Sequence, residues 1–162
     1  MTKAEGGCLC GALRYGVTAA PSRVTICHCK FCQRATGSAY LVEPVFSGDE
    51  FSMLKGTPKT YTHISEGSGK SVHVHFCDAC GTTLYLSFER FAGAVGVYAG
   101  TFDDPNWFDL TPENSKHIFL GVAQRGSVIP AGVNTFVEHA TLTDGTPVEP
   151  TVFETPQVID KR

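Results

Sequence analysis

Apolar residues along this chain fall in short runs, several with period-two alternation, and none sustains the 3.6-residue spacing of a long amphipathic helix. Seventeen glycines and nine prolines interrupt the runs, as they do where strands are joined by tight turns. The pattern predicts strands at Ala12–Val17, Val24–Cys27, Ala39–Phe46, Glu50–Leu54, Thr60–Ile64, Ser71–Phe76, Thr83–Phe88, Val95–Ala99, His117–Val122 and Asn134–Val137. One short helix is expected from about Lys30 to Ala35, stopped by Thr36-Gly37. Within Ser71–Cys77 the alternation puts His73, His75 and Cys77 on one face and Val72, Val74 and Phe76 on the other.

The expected fold class is mainly β, with little helix. Residues 1–140 read as a single β domain. Residues 141–162 read as a C-terminal segment that wraps the surface or is partly flexible, because Thr143–Arg162 holds three prolines and few large apolar side chains. Asp103-Asp104-Pro105-Asn106 and Thr111-Pro112-Glu113-Asn114 read as turns, and the intervening loop carries the sole tryptophan, Trp107.

Composition narrows the function classes. The 162 residues, 42% hydrophobic and 18% charged, suit a globular domain rather than a disordered chain. Thirteen Lys plus Arg against 16 Asp plus Glu give a formal net charge of -3, so no basic footprint points to nucleic acid or to an anionic membrane. The opening MTKAEGGCLC lacks an apolar signal core, and no run approaches the roughly 18 apolar residues of a membrane span. A cytoplasmic setting is the expectation.

The seven cysteines change the picture most. Their number is odd, so pairing within a monomer cannot use them all. They form three groups, Cys8-Leu9-Cys10, Cys27-His28-Cys29-Lys30-Phe31-Cys32 and Cys77-Asp78-Ala79-Cys80. Cys80-Gly81 completes a zinc-knuckle pattern, and the spacing suggests a partition into four and three. Cys8, Cys10, Cys77 and Cys80 would form a closed structural zinc site joining distant segments. The competing readings for these pairs are a disulfide, a redox pair or iron.

Cys27, Cys29 and Cys32 supply the ligand count of a zinc with one position for water or substrate, or of a site closed by a fourth protein ligand. Two zinc ions per chain are therefore expected. His28 should point away from its neighbouring cysteines, toward the surroundings of the metal or the surface. His73 and His75 could approach either metal or face solvent on their strand, whereas the spacing assigns no role to His63, His117 or His139.

These residues resemble a known family. Gly6-Gly7-Cys8-Leu9-Cys10-Gly11-Ala12-Leu13-Arg14-Tyr15, Cys27-His28-Cys29-Lys30-Phe31-Cys32-Gln33-Arg34-Ala35-Thr36-Gly37-Ser38 and Phe76-Cys77-Asp78-Ala79-Cys80-Gly81-Thr82 are similar to the glutathione-dependent formaldehyde-activating enzymes, a family that includes centromere-protein-V-like proteins. The resemblance covers all seven cysteines, with His117-Ile118-Phe119 similar to a later histidine-aromatic strand. It implies a zinc-stapled β-tent type fold of short antiparallel sheets. It also implies structural zinc on Cys8, Cys10, Cys77 and Cys80, and a second zinc on Cys27, Cys29 and Cys32 beside a glutathione-binding surface. Gln124-Arg125-Gly126-Ser127 departs from the family, whose members often carry a tryptophan in that region.

The activity implied by the resemblance is that of a carbon–sulfur lyase, forming or cleaving a hemithioacetal such as S-hydroxymethylglutathione. Thiolate ligation fits this chemistry, since a metal carrying three thiolates is a weak Lewis acid that favours exchange of a soft thiol over activation of water. Cys27, Cys29, Cys32 and Arg34 are the candidate catalytic residues, with glutathione or another thiol and a small aldehyde as partners. Arg34 would offset thiolate charge or pair with a substrate carboxylate, the alternative being a solvated arginine. Ser38 and Tyr40 are candidate hydrogen-bond donors to substrate, although Tyr40 also suits the edge of a core. The rival reading is a non-catalytic zinc-stapled module that binds glutathione, a peptide or a protein partner.

Overall fold

The computed structural model describes residues 1–160; Lys161 and Arg162, the end of the expected C-terminal segment, lie outside the described residues. The first strands in chain order are β1 (Ala4–Gly7), β2 (Arg14–Val17), β3 (Arg23–Cys27), β4 (Leu41–Ser47) and β5 (Phe51–Lys55). Next come β6 (Lys59–Ile64), β7 (Ser71–Phe76), β8 (Thr83–Phe88), β9 (Ala94–Val97) and β10 (Ser115–Ile118). Four two-residue strands complete the series: β11 (Val128–Ile129), β12 (Asn134–Thr135), β13 (Thr151–Val152) and β14 (Gln157–Val158). The helix α1 covers Lys30–Thr36. The fold is mainly β, and it divides into two compact units.

The first unit comprises Met1–Arg23 and Glu43–Asp109. Antiparallel pairing joins β1, β2 and β5 in one small sheet. A second antiparallel ladder runs β4-β9-β8-β7-β6. Alternation on β8 buries Leu84 and Leu86, and full burial of such a side chain contributes about 2 kcal/mol. Leu84 shares the interior with Tyr15, Val17, Phe46 and Val97. Cys8 and Cys77 are part of the same core, so the first thiol cluster grows directly from the packed interior. Gly6 allows close packing here, because a Cβ would collide with the Tyr15 hydroxyl and the Thr101 carbonyl.

Trp107 closes this core in an irregular stretch. Its ring lies nearly parallel to Phe46 at 6.2 Å and contacts Phe102 and Phe108, while its buried Nε1 has no hydrogen-bond partner among the described residues. The Arg14 guanidinium joins Asp103 at the surface, with one Nη–Oδ1 distance of 2.8 Å.

The second unit comprises Val24–Val42 and the chain from Leu110 onward. Here β10 pairs in parallel with both β3 and β12, and β12 pairs antiparallel with β13. Long excursions of chain separate the parallel partners, as that geometry requires. Leu120, Ala123 and Ile129 form a local core beneath Phe153 and Ile159. The strand expected at His117–Val122 ends at Ile118. Phe119 adopts a left-handed backbone at φ 61°, unusual for a bulky residue, and the chain turns into a 3-10 segment at Leu120–Val122. The C-terminal stretch contributes β13 and β14, the latter pairing with β11.

Candidate metal centres

In the first unit, β1 leads into the Cys8-Leu9-Cys10 turn and β7 leads into the Cys77–Cys80 turn. Gly11 and Gly81, at φ 71° and 75°, supply the left-handed backbone that lets each turn fold back on its thiols. The four Sγ atoms lie within 4.8 Å of one another, with Cys8–Cys10 at 3.5 Å and Cys10–Cys77 at 3.7 Å. These separations far exceed the ~2.05 Å of a disulfide and match the ~3.8 Å between thiolates on a tetrahedral ion with ~2.3 Å bonds.

Local donors also suit thiolates. The Leu13 N–H donates to Cys8 Sγ at 3.2 Å. Thr82 Oγ1 lies 3.2 Å from Cys80 Sγ and accepts from the Leu9 N–H, tying the two turns together. The Thr82 hydroxyl, followed by backbone N–H groups, holds the Cys80 thiol down to about 6. This cluster can hold a metal ion.

In the second unit, β3 ends at Cys27 and α1 begins after Cys29. Cys29 is the helix N-cap, its Sγ accepting from the Cys32 N–H at 3.3 Å, and Gly37 terminates the helix at φ 64°. The short helix therefore fixes Cys32 beside Cys29, and the Sγ atoms of Cys27, Cys29 and Cys32 lie within 4.8 Å of one another. Among the described residues, no further Cys, His, Asp or Glu joins that group. Hydrogen bonds from the Cys27 and Cys32 thiols hold Cys29 down to about 3, while Cys27 and Cys32 are pushed up. One thiolate and two thiols are therefore favoured before a metal arrives. This second cluster can also hold a metal ion.

A buried polar layer backs the triplet. His28 is fully buried, and its Nε2 lies 3.1 Å from His117 Nδ1. Burial, reinforced for His28 by His117, lowers both imidazoles to about 4, so the pair is neutral near pH 7, one ring donating and the other accepting. His28 Nδ1 has no hydrogen-bond partner among the described residues. Gln33 anchors the loop: its Nε2 donates to the His28 carbonyl at 2.6 Å and to the Val122 carbonyl at 3.0 Å, and its Oε1 accepts from Gln124 Nε2 at 3.2 Å. Sequence spacing does not show Gln33, Gln124 or the His28–His117 pair, whose members stand 89 positions apart.

The other sequence candidates take different places. Arg34 is exposed on α1, in its last turn. Ser38 is exposed just beyond the helix, while the Tyr40 ring tilts against His28 with centroids 5.1 Å apart. His73 and His75 do share a face. His73 pairs with Thr62, and His75 pairs with Thr60 and Ser87 and stacks on Tyr85. Cys77, just beyond the end of β7, is buried in the core of the first unit. Neither histidine belongs to a metal-ligating group among the described residues.

The protein is mainly β, and its two compact thiol clusters, one of four and one of three, could each hold a metal ion. Residues 3–121 match the family model of the glutathione-dependent formaldehyde-activating enzymes, and the chain belongs to that family. It is 25% identical over 138 residues to a Halomonas elongata protein provisionally named a glutathione-dependent formaldehyde-activating enzyme, covering 72% of this chain and 87% of that one. It is 27% identical over 107 residues to an uncharacterised lyase of Schizosaccharomyces pombe, covering 63% and 70%. A crystal structure of a Rhodobacter sphaeroides protein, 18% identical, shares the fold with a TM-score of 0.50 over 67% of this chain and 92% of that chain. No helix among the described residues is long and apolar enough to cross a membrane.

Proposed function

We propose that the protein is a zinc-dependent carbon–sulfur lyase that forms or cleaves the hemithioacetal of glutathione, or a related thiol, with formaldehyde or another small aldehyde. The observation that carries this reading is the three-thiol cluster, which no further Cys, His, Asp or Glu joins among the described residues. The family and the lyase name of a relative support it. A non-catalytic module would be favoured by a fourth protein ligand closing the same cluster.

Cys8, Cys10, Cys77 and Cys80 would hold one zinc as a structural staple, and Cys27, Cys29 and Cys32 the other. Zinc held by three thiolates would offer a soft, exchangeable position for a thiol. Around it, the chain's own residues hold the loop. Gln33 fixes the His28 carbonyl, between Cys27 and Cys29, and the His28 and His117 imidazoles are buried against each other. Arg34 is the candidate to offset thiolate charge. In the synthetic direction a carbon–sulfur bond forms, the carbonyl π bond breaks, and the proton leaving the thiol ends on the former aldehyde oxygen. Cleavage reverses each change. Seven cysteines grouped at metal-ligand spacing support a reducing, cytoplasmic setting.

The reading is tested by mixing zinc-loaded protein with glutathione and formaldehyde and following hemithioacetal exchange by NMR. Acceleration above the spontaneous rate that disappears in Cys29→Ser is the expected outcome. Exchange at the spontaneous rate excludes the lyase.

A further inference from the structure

Within the second unit lies an open cleft of about 410 Å³ lined by Ala39, Tyr40 and residues 124–128. Two side-chain contacts join it to residues that neighbour the triplet cysteines in sequence. Tyr40 packs on His28, which lies between Cys27 and Cys29, and Gln124 bonds Gln33, which follows Cys32. The far wall is the stretch that departs from the family pattern, Gln124-Arg125-Gly126-Ser127.

The polar lining is rich in donors. It offers the Arg125 guanidinium and the Tyr40 and Ser127 hydroxyls, and no Asp or Glu lines the cleft. Ser127 is only 9% exposed. Such a donor set selects a planar anion, because a guanidinium fork matches a carboxylate and hydroxyls add further donors.

The chain already supplies one carboxylate. Asp160 Oδ1 sits 3.2 Å from Arg125 Nε, held there by the β11–β14 pairing and by bonds from Gly126 N–H to the Ile159 carbonyl and from Ile159 N–H to the Ser127 carbonyl. Both side chains of this ion pair are about two-thirds exposed, at 69% and 68%, so the pair is weak and readily exchanged.

We propose that this cleft receives a carboxylate of the thiol substrate, Arg125 pairing with it in exchange for Asp160. Substrate selection then depends on Arg125, and Asp160 is an internal competitor that raises the concentration of substrate needed. The inference rests on the lyase reading for its thiol and names the class: thiols carrying a carboxylate, such as glutathione, rather than uncharged thiols.

Binding is tested first, apart from catalysis, by NMR titration of zinc-loaded protein with S-methylglutathione, which has the carboxylates but no free thiol. Shifts centred on residues 124–128 and on Asp160, lost in Arg125→Gln, are expected. No shift there, or equal shifts from acetate at the same concentration, overturns the proposal.

Kinetics give the second arm. The ratio of KM for glutathione to KM for 2-mercaptoethanol should rise about tenfold in Arg125→Gln, rise less in Arg125→Lys, and fall about twofold in Asp160→Asn, magnitudes set by an exposed pair replaced by a charge-assisted contact. An unchanged ratio in Arg125→Gln, or a larger rise in Arg34→Gln, overturns the assignment to Arg125. If neither thiol is turned over, the lyase reading fails, and the titration alone still decides the cleft.

Discussion

The two thiol clusters reach similar geometry by different routes. Cys10 and Cys77, 67 positions apart, meet at 3.7 Å in the first unit, whereas Cys27, Cys29 and Cys32 come from six consecutive residues in the second. A metal in the first closes a long loop and belongs to folding itself. In the second it closes almost none, and the thiols are arrayed by a helix N-cap and by Gln33. Four thiols saturate a tetrahedral ion and three do not. The cluster that contributes least to chain closure is thus the one with coordination to spare.

The sharpest way to break this comparison is Cys80→Ser. It should remove one metal equivalent and lower the unfolding midpoint by at least about 10 °C, or prevent folding, as expected when a structural metal is lost. Metal analysis alongside thermal unfolding checks it. Cys29→Ser should also remove one equivalent but shift the midpoint by only a few degrees, while exchange falls about 100-fold or more toward the spontaneous rate. Equal destabilisation by the two variants would erase the distinction between the clusters.

Gln33→Leu examines the anchoring of the triplet. It leaves the His28 and Val122 carbonyls without their side-chain donor, at a cost of about 2 kcal/mol. Denaturant unfolding measures that loss, and weaker metal retention by the second cluster should accompany it.

The histidine pair adds a pH dependence to the second unit. Both imidazoles are depressed to about 4 by burial, against about 6.5 unfolded. Their contribution is therefore complete above about pH 6.5 and is lost as pH falls toward 4, because the unfolded chain binds the protons first. At equal metal loading, the stability difference between wild type and His117→Gln should shrink across that window. A constant difference removes the pair as its source. The smallest effect is expected from Arg14→Gln, which breaks the exposed contact with Asp103 and should cost no more than about 1 kcal/mol in denaturant unfolding.

The cysteine grouping was legible because short-range spacing fixes which thiols a single turn presents. The same holds for α1, where Thr36-Gly37 stops the helix within a residue of its expected end, and for β7 and β8, whose limits follow from alternation. What escaped is long-range or very short. Nothing near His28 announces His117, and a glutamine on a two-turn helix gives no sign that the distant Val122 carbonyl and Gln124 amide converge on it. β11 to β14 have two residues each, too few for any periodicity. The end of β10 depends on the left-handed backbone of Phe119, which residue type alone argues against.

Trp107 gives the molecule a built-in optical reporter. It is the only tryptophan in the chain, and its three aromatic neighbours, Phe46, Phe102 and Phe108, all belong to the first unit. With its indole N–H buried and unbonded, its emission should be blue-shifted and sensitive to the packing around the four-thiol cluster. Tryptophan fluorescence therefore watches one half of the protein, and events confined to the other half must be followed by a different probe.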